Sequence, residues 1–398
     1  MTRQPRLAQF GAGNIGRSLV GQLFSRSGWE VTFLDVVPEV VDALNERHSY
    51  MVTVKDEVLP GQPAAIEVGN VRGVDLADRD LAVAAVAQAD LAGTSVGAGN
   101  LDAACAILAD ALLRRDAPLS VMLCENLHGA AKIAREFVKS HLPEGFDLDG
   151  RIGFVEAAIG KMVPNTPGEV RAVDPLAVWA EAYNTLYLDA DGYLGAPPPV
   201  YGVAWRTRFQ AYVDRKLFVH NLGHAASAYA GFLRGKTYIW ECMEDPDVKA
   251  ETRGCMYETS RALAVRHGDV FTFDENRATT DDLIRRFGNR ALGDPVFRVG
   301  RDLKRKLAPG DRCAGGLRLL AETGTPCDCT ARAVANAMRF AAVDEGGNPH
   351  PGDAEVTTLA RASGPEAVLA AICGLDPGAD GRLIETIAAA YHAAGSRT

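Results

Sequence analysis

At 398 residues the chain exceeds the length over which one hydrophobic core keeps growing, which predicts two domains. With 47% hydrophobic and 23% charged residues and a mean hydropathy near zero, its composition is that of a globular protein, and no run approaches the roughly 18 apolar residues of a membrane span. A net charge of −9 argues against nonspecific nucleic-acid binding, and the opening Met1-Thr-Arg-Gln-Pro-Arg6 lacks the apolar stretch of a signal peptide, so the expectation is a cytoplasmic protein that partners neither nucleic acid nor membrane.

From residue 6 to about 155, short apolar runs alternate with helical patterns. Leu7–Phe10, Val31–Leu34, Leu91–Val96 and Leu119–Leu123 read as strands between amphipathic helices, which predicts a parallel α/β sheet of Rossmann type. The first strand runs into Gly11-Ala-Gly13-Asn14-Ile15-Gly16, Asn14–Phe24 follows as a helix, and Asp35 closes the next strand 19 residues after Gly16. A GxGxxG alone is weak, but strand, turn, helix and acidic residue in this order form the dinucleotide-binding arrangement. Gly11 permits the tight turn, Gly13 lets backbone approach a pyrophosphate, and Gly16 lets helix and strand pack closely. The helix start at Asn14 and Ile15 offers amide donors to the anion. Asp35 suits the adenosine ribose diol, and Val36-Val37-Pro38 brings no cation for a 2′-phosphate, so the expected cofactor is NAD rather than NADP. At the carboxyl edge of a later strand, Ser95 and Val96 are placed beside the cofactor, with an ordinary turn as the alternative.

Around Gly192-Tyr-Leu-Gly-Ala-Pro-Pro-Pro199 the periodicity stops, which puts the domain boundary near residue 195 and divides the chain into 1–195 and 196–398. Beyond it, Phe209–Leu233, Thr252–Val265, Thr280–Arg290, Cys329–Phe340 and Glu366–Cys373 have helical period, so the second domain is predicted to be mostly α-helical. The segment Lys216-Leu-Phe-Val-His-Asn221-Leu-Gly-His224 carries an amine, an amide and an imidazole. On an α-helix these three fall within an arc of roughly 140°. Phe218, Val219 and Leu222 can supply an apolar surround that favours a neutral lysine able to act as a base. The alternative is a solvated Lys216 with Asn221 and His224 bonded inside helix packing, and His220 competes one turn from both Lys216 and His224. Eight scattered cysteines read as reduced thiols, and Cys327-Asp-Cys329 lacks a second pair at zinc spacing, so no metal is expected.

Lys216, Asn221 and His224 at this spacing resemble the catalytic motif of the polyol-specific long-chain dehydrogenases, the mannitol dehydrogenase family, and the resemblance is strongest to its mannitol-1-phosphate 5-dehydrogenases. Phe10-Gly-Ala-Gly-Asn-Ile-Gly-Arg17, Ala43-Leu-Asn-Glu-Arg-His-Ser-Tyr50, Cys124-Glu-Asn126, Asn221-Leu-Gly-His-Ala225 and Cys373-Gly-Leu-Asp376 follow that family's stretches in order. The resemblance implies metal-independent hydride transfer between NAD and a sugar or polyol, here mannitol 1-phosphate and fructose 6-phosphate. It implies that Lys216 is the general acid/base, that Asn221 and Asn126 polarise the reacting oxygen, and that His224 orients the substrate. It also puts Arg298 and Lys306, in a basic run, on the substrate; a solvated basic helix face is the alternative.

One departure bears on the substrate. Where the family carries an aspartate before a proline, this chain reads Ala158-Ile159-Gly160-Lys161-Met162-Val163-Pro164. Loss of the carboxylate leaves room for a different substrate, an unphosphorylated polyol, a hexuronate or an unusual sugar. A nonenzymatic NAD-binding protein is a third reading, against which the retained lysine, amides and imidazole argue.

Overall fold

The computed structural model describes residues 3–56 and 64–395; Met1 and Thr2, at the start of the N-terminal segment read above, lie outside them. The chain divides into two compact units, Met1–Phe209 and Gln210–Thr398.

Unit 1 is built on strands β1 (Arg6–Phe10), β2 (Glu30–Asp35), β3 (Ser49–Val54), β4 (Ala65–Gly69), β5 (Val71–Asp75), β6 (Leu91–Thr94), β7 (Leu119–Leu123), β8 (Ile152–Ile159), β9 (Val178–Ala180), β10 (Leu186–Asp189) and β11 (Val203–Arg206). Eight form one sheet in the order β11-β10-β8-β7-β6-β1-β2-β5, parallel except where β10 runs against β8. The central strands are apolar on both faces because helices cover both. Leu7, Val31 and Phe33 join Leu19, Leu23 and Phe24 in one core layer. Ala8, Phe10 and Leu34, one residue out of step, join Val83, Leu101 and Leu108 in the other.

The chain leaves β1 toward β2 and β5, then returns to lay β6, β7 and β8 on the opposite side of β1. The sheet therefore reverses order between β1 and β6, where doubly wound sheets open their binding crevice at the carboxyl ends of the strands. Gly11 and Ser95 are the first residues beyond those two strands.

Two expectations change. The strand read as Leu91–Val96 ends at Thr94, which moves Ser95 and Val96 into the following loop. The boundary near residue 195 moves to Phe209/Gln210, because β11 lies beyond the Gly/Pro cluster and pairs in register with β10, Leu186 opposite Val203 through Asp189 opposite Arg206. The small sheet β4-β3-β9 is absent from the expectations drawn from the sequence. Its signal is short: buried Tyr50 and Val52 flank exposed Met51.

Unit 2 is helical, and among its described residues the only β pairing is two isolated bridges. Asp245 caps the helix Pro246–Arg266 by accepting from the amides of Asp247 and Val248, with Pro246 in the first turn where its missing N–H costs nothing. A capping box between Thr272 and Glu275 starts the helix Phe273–Phe287 well before Thr280, where the sequence pattern begins it. No helix among the described residues is long and apolar enough to cross a membrane.

Candidate active site

The Gly-rich turn is shaped by three different constraints. Gly11 has φ 86°, in the left-handed region, and a Cβ there would lie 2.6 Å from the Ser95 carbonyl oxygen. A Cβ on Gly16 would drive into the Gly11 carbonyl, so that position is glycine to let helix and turn touch. Gly13 differs: a Cβ there would meet no protein atom within 4 Å. The middle glycine thus faces open space, as a backbone that must approach a pyrophosphate does. Asn14 and Ile15 begin the helix, with Ile15 turned against the core, so what Ile15 offers a ligand is its backbone.

Asp35 stands at the end of β2 and braces the turn, its Oδ2 accepting from the Ala12 amide at 2.6 Å and its Oδ1 from Val37 at 3.0 Å. Ser95 lies against the same turn, accepting from Gln9 Nε2 at 3.1 Å, with its hydroxyl 3.4 Å from the Gly11 carbonyl oxygen. The amides of Val96 and Gly97 both donate to the Glu125 carboxylate, at 2.9 and 2.8 Å. Glu125, only 6% exposed, holds this loop from the end of β7, next to exposed Asn126. The family resemblance points to Asn126, whereas Glu125, two residues beyond a strand buried throughout its length, has no pattern in the sequence that marks it.

In unit 2, Lys216–Asn221 is not α-helical. It is a π-helical turn set between the α-helices Gln210–Arg215 and Leu222–Leu233. On an α-helix, residues five apart diverge by roughly 140°. The wider winding of a π turn, with its i→i+5 hydrogen bonding, brings them closer together around the axis. Lys216 and Asn221, both half-buried, therefore share one side more closely than helical-wheel arithmetic predicts, and His224 follows Asn221 at the i+3 spacing of the next helix. Phe218, Val219 and Leu222 are buried, as expected. Phe218 anchors the segment to the helix Arg312–Glu322, where a Cβ on Gly315 would lie 2.8 Å from its ring.

The two histidines divide. Burial holds the His220 imidazole well below its usual pKa, and Arg286, His224, Lys216 and Arg312 push the same way, so His220 is neutral. His224 lies flat on Phe287, ring centroids 4.7 Å apart and planes 11° from parallel. Its Nε2 is 3.3 Å from Oδ2 of Asp294. Asp294 Oδ1 accepts from Arg298 Nε at 2.6 Å. Burial by itself would raise the pKa of Asp294, but His224 and Arg298 outweigh it and hold the carboxyl at about 2.

Arg298 and Lys306 thus have protein partners. Buried Lys306 donates from Nζ to the Val299 carbonyl at 2.5 Å and to that of Arg301, and burial reinforced by Arg312 and Arg305 lowers its pKa to about 7. Gly160 lies just past β8, and the adjoining Lys161, 6% exposed, donates from Nζ to Asn184 Oδ1. Among the described residues no three His, Cys, Asp or Glu gather as metal ligands, and all eight cysteines are free thiols.

Residues 5–200 match the family model of the mannitol dehydrogenase Rossmann domain, and residues 208–393 that of the mannitol dehydrogenase C-terminal domain. Among solved structures the chain is similar to the Pseudomonas fluorescens mannitol 2-dehydrogenase in ternary complex with NAD and D-mannitol, at 18% identity and a TM-score of 0.73, covering 98% of this chain and 91% of that one. It is also similar to a D-sorbitol dehydrogenase in substrate-free form, at 17% identity and a TM-score of 0.75 over 98% and 93% of the two chains. At these identities the likeness is one of fold.

Proposed function

The chain belongs to the mannitol dehydrogenase family, and from that premise we propose that it is an NAD-dependent oxidoreductase interconverting mannitol 1-phosphate and fructose 6-phosphate. The observation that carries the reading is the π turn Lys216–Asn221, which aligns an amine with an amide in a chain whose other unit holds an open dinucleotide turn. During oxidation the Lys216 amine takes the hydroxyl proton, and during reduction it returns it. Asn221 and Asn126 donate amide N–H groups to the reacting oxygen, stabilising alkoxide-like charge without competing for the proton. His224 orients the substrate, with Arg298 and Lys306 contributing cations.

The backbone of Gly11, Gly13, Asn14, Ile15 and Gly16 holds the pyrophosphate, Asp35 the adenosine ribose, and Ser95 and Val96 line the carboxyl edge. Bound NAD supplies the acceptor and donor of the hydride. The NAD in the Pseudomonas fluorescens complex supports this cofactor. Free thiols throughout fit a reducing compartment, so we place the enzyme in the cytoplasm.

A second reading, an unphosphorylated polyol, is favoured by the partners of the two cations: Arg298 Nε is bonded to Asp294 and Lys306 Nζ to two carbonyls. A phosphate would have to compete with them. Purified protein given NADH, with fructose 6-phosphate in one cuvette and free fructose in another, separates the two. Rapid NADH loss with the phosphate alone supports the first reading, preference for fructose replaces it with the second, and silence across a wider carbonyl panel removes both.

A further inference from the structure

Asp294 is 6% exposed and has no part in the roles above. It follows Gly293, whose φ of 55° turns the chain back, and its backbone carbonyl accepts from the Ile239 amide at 2.9 Å. The main chain is thus tied independently of the carboxylate. One carboxylate oxygen is 3.3 Å from His224 Nε2 and the other is bonded to Arg298 Nε. The stack on Phe287 already sets the plane of the His224 ring, leaving rotation within that plane and choice of tautomer open. A carboxylate beside one ring nitrogen closes both, because only a protonated nitrogen is favoured there.

We propose that Asp294 is a positioning residue for two substrate-side groups at once, holding His224 in the tautomer protonated on Nε2 and aiming the Arg298 guanidinium. The assignment rests on the polyol-oxidoreductase reading for its catalytic consequence, and on geometry alone for the tautomer. With the proton on Nε2, Nδ1 is an acceptor, so His224 receives a hydrogen bond from a substrate hydroxyl instead of donating one. The division of labour follows: Asn221 and Asn126 donate to the reacting oxygen, while His224 accepts from a hydroxyl and thereby selects a polyol over a carbonyl compound lacking one. Arg298, drawn to the same carboxylate through Nε, keeps its two terminal nitrogens at a fixed angle. An ordinary i,i+4 ion pair of Asp294 with Arg298 would need nothing from His224, and this distinguishes the proposal from a stabilising surface pair.

The full-length protein labelled with 15N-histidine tests the assignment, with His224→Gln identifying the His224 signals. The wild-type imidazole shifts should report the Nε2-protonated tautomer, and Asp294→Ala should lose that preference. Asp294→Asn, whose side-chain carbonyl can accept from Nε2–H, should keep it. With the sugar that the wild type turns over, Asp294→Ala should lower kcat/KM by about a hundredfold, the effect of a misaligned group near the reacting centre, leave NADH affinity unchanged, and be partly rescued by Asp294→Asn. A wild-type His224 protonated on Nδ1 overturns the proposal without any variant, as does an Asp294→Ala protein with unchanged tautomer and rate. If the wild type reduces no sugar, the functional reading fails while the tautomer measurement still decides the role of Asp294.

Discussion

Lys216 and the dinucleotide turn belong to different compact units. Lys216→Ala should therefore lower ketose reduction by about 10²–10⁴-fold, the contribution of a general acid/base, while NADH affinity measured by fluorescence titration stays at the wild-type value. A variant retaining most of its rate would take Lys216 out of the mechanism. Asp35 gives a second residue-level expectation. Its carboxylate and the cation-free Val36-Val37-Pro38 disfavour a 2′-phosphate, so NADH at a hundred times its dissociation constant should stabilise the protein by ~2.7 kcal/mol against heating and NADPH at the same concentration by less. Equal or larger stabilisation by NADPH would contradict this. Lys216, Asn221, His224 and the three glycines are legible as candidates because each sits in a short segment of distinctive spacing. Asp294 and Glu125 are not, since a carboxylate that serves a group on another element leaves no local pattern.

Elements show the same division between local and remote causes. β1, β2 and β7 are legible because apolar runs bounded by turn residues sit between helical periods. The π turn is invisible to such periodicity, being a one-residue change of winding that packing enforces. Phe218 is the anchor: its ring fills the space over Gly315, so Gly315→Ala gains up to about 1 kcal/mol of helix propensity but meets a buried, rigid ring. Overpacking of about 1–3 kcal/mol should win, lowering the melting temperature by about 2–4 °C per kcal/mol. The shift should reach Lys216, two residues from Phe218, and reduce kcat as well. An alanine variant with raised stability and full rate would show that Phe218 does not hold the turn.

At the level of the whole molecule, alternating strands and helices followed by a helical half follow from composition and periodicity, and the structure and the family matches agree with that architecture. The end of the first unit did not follow. Gly/Pro-rich 192–199 looks like a linker because it cannot form a ladder, yet β11 beyond it returns to the sheet, and strand pairing across a break is not written in either strand alone. The family match contributes a polyol oxidoreductase, whereas in the proposed function the choice between phosphorylated and free sugar is assigned to Arg298 and Lys306. Backbone conformation, amphipathic period and the chemistry of short motifs act over a few residues, so the amino-acid order suffices to read the dinucleotide turn, the helical half and the amine, amide and imidazole set. The winding that aligns Lys216 with Asn221, the carboxylate beside His224 and the burial of Lys306 depend on segments far apart in the chain meeting in space, and that comes into being when the core packs.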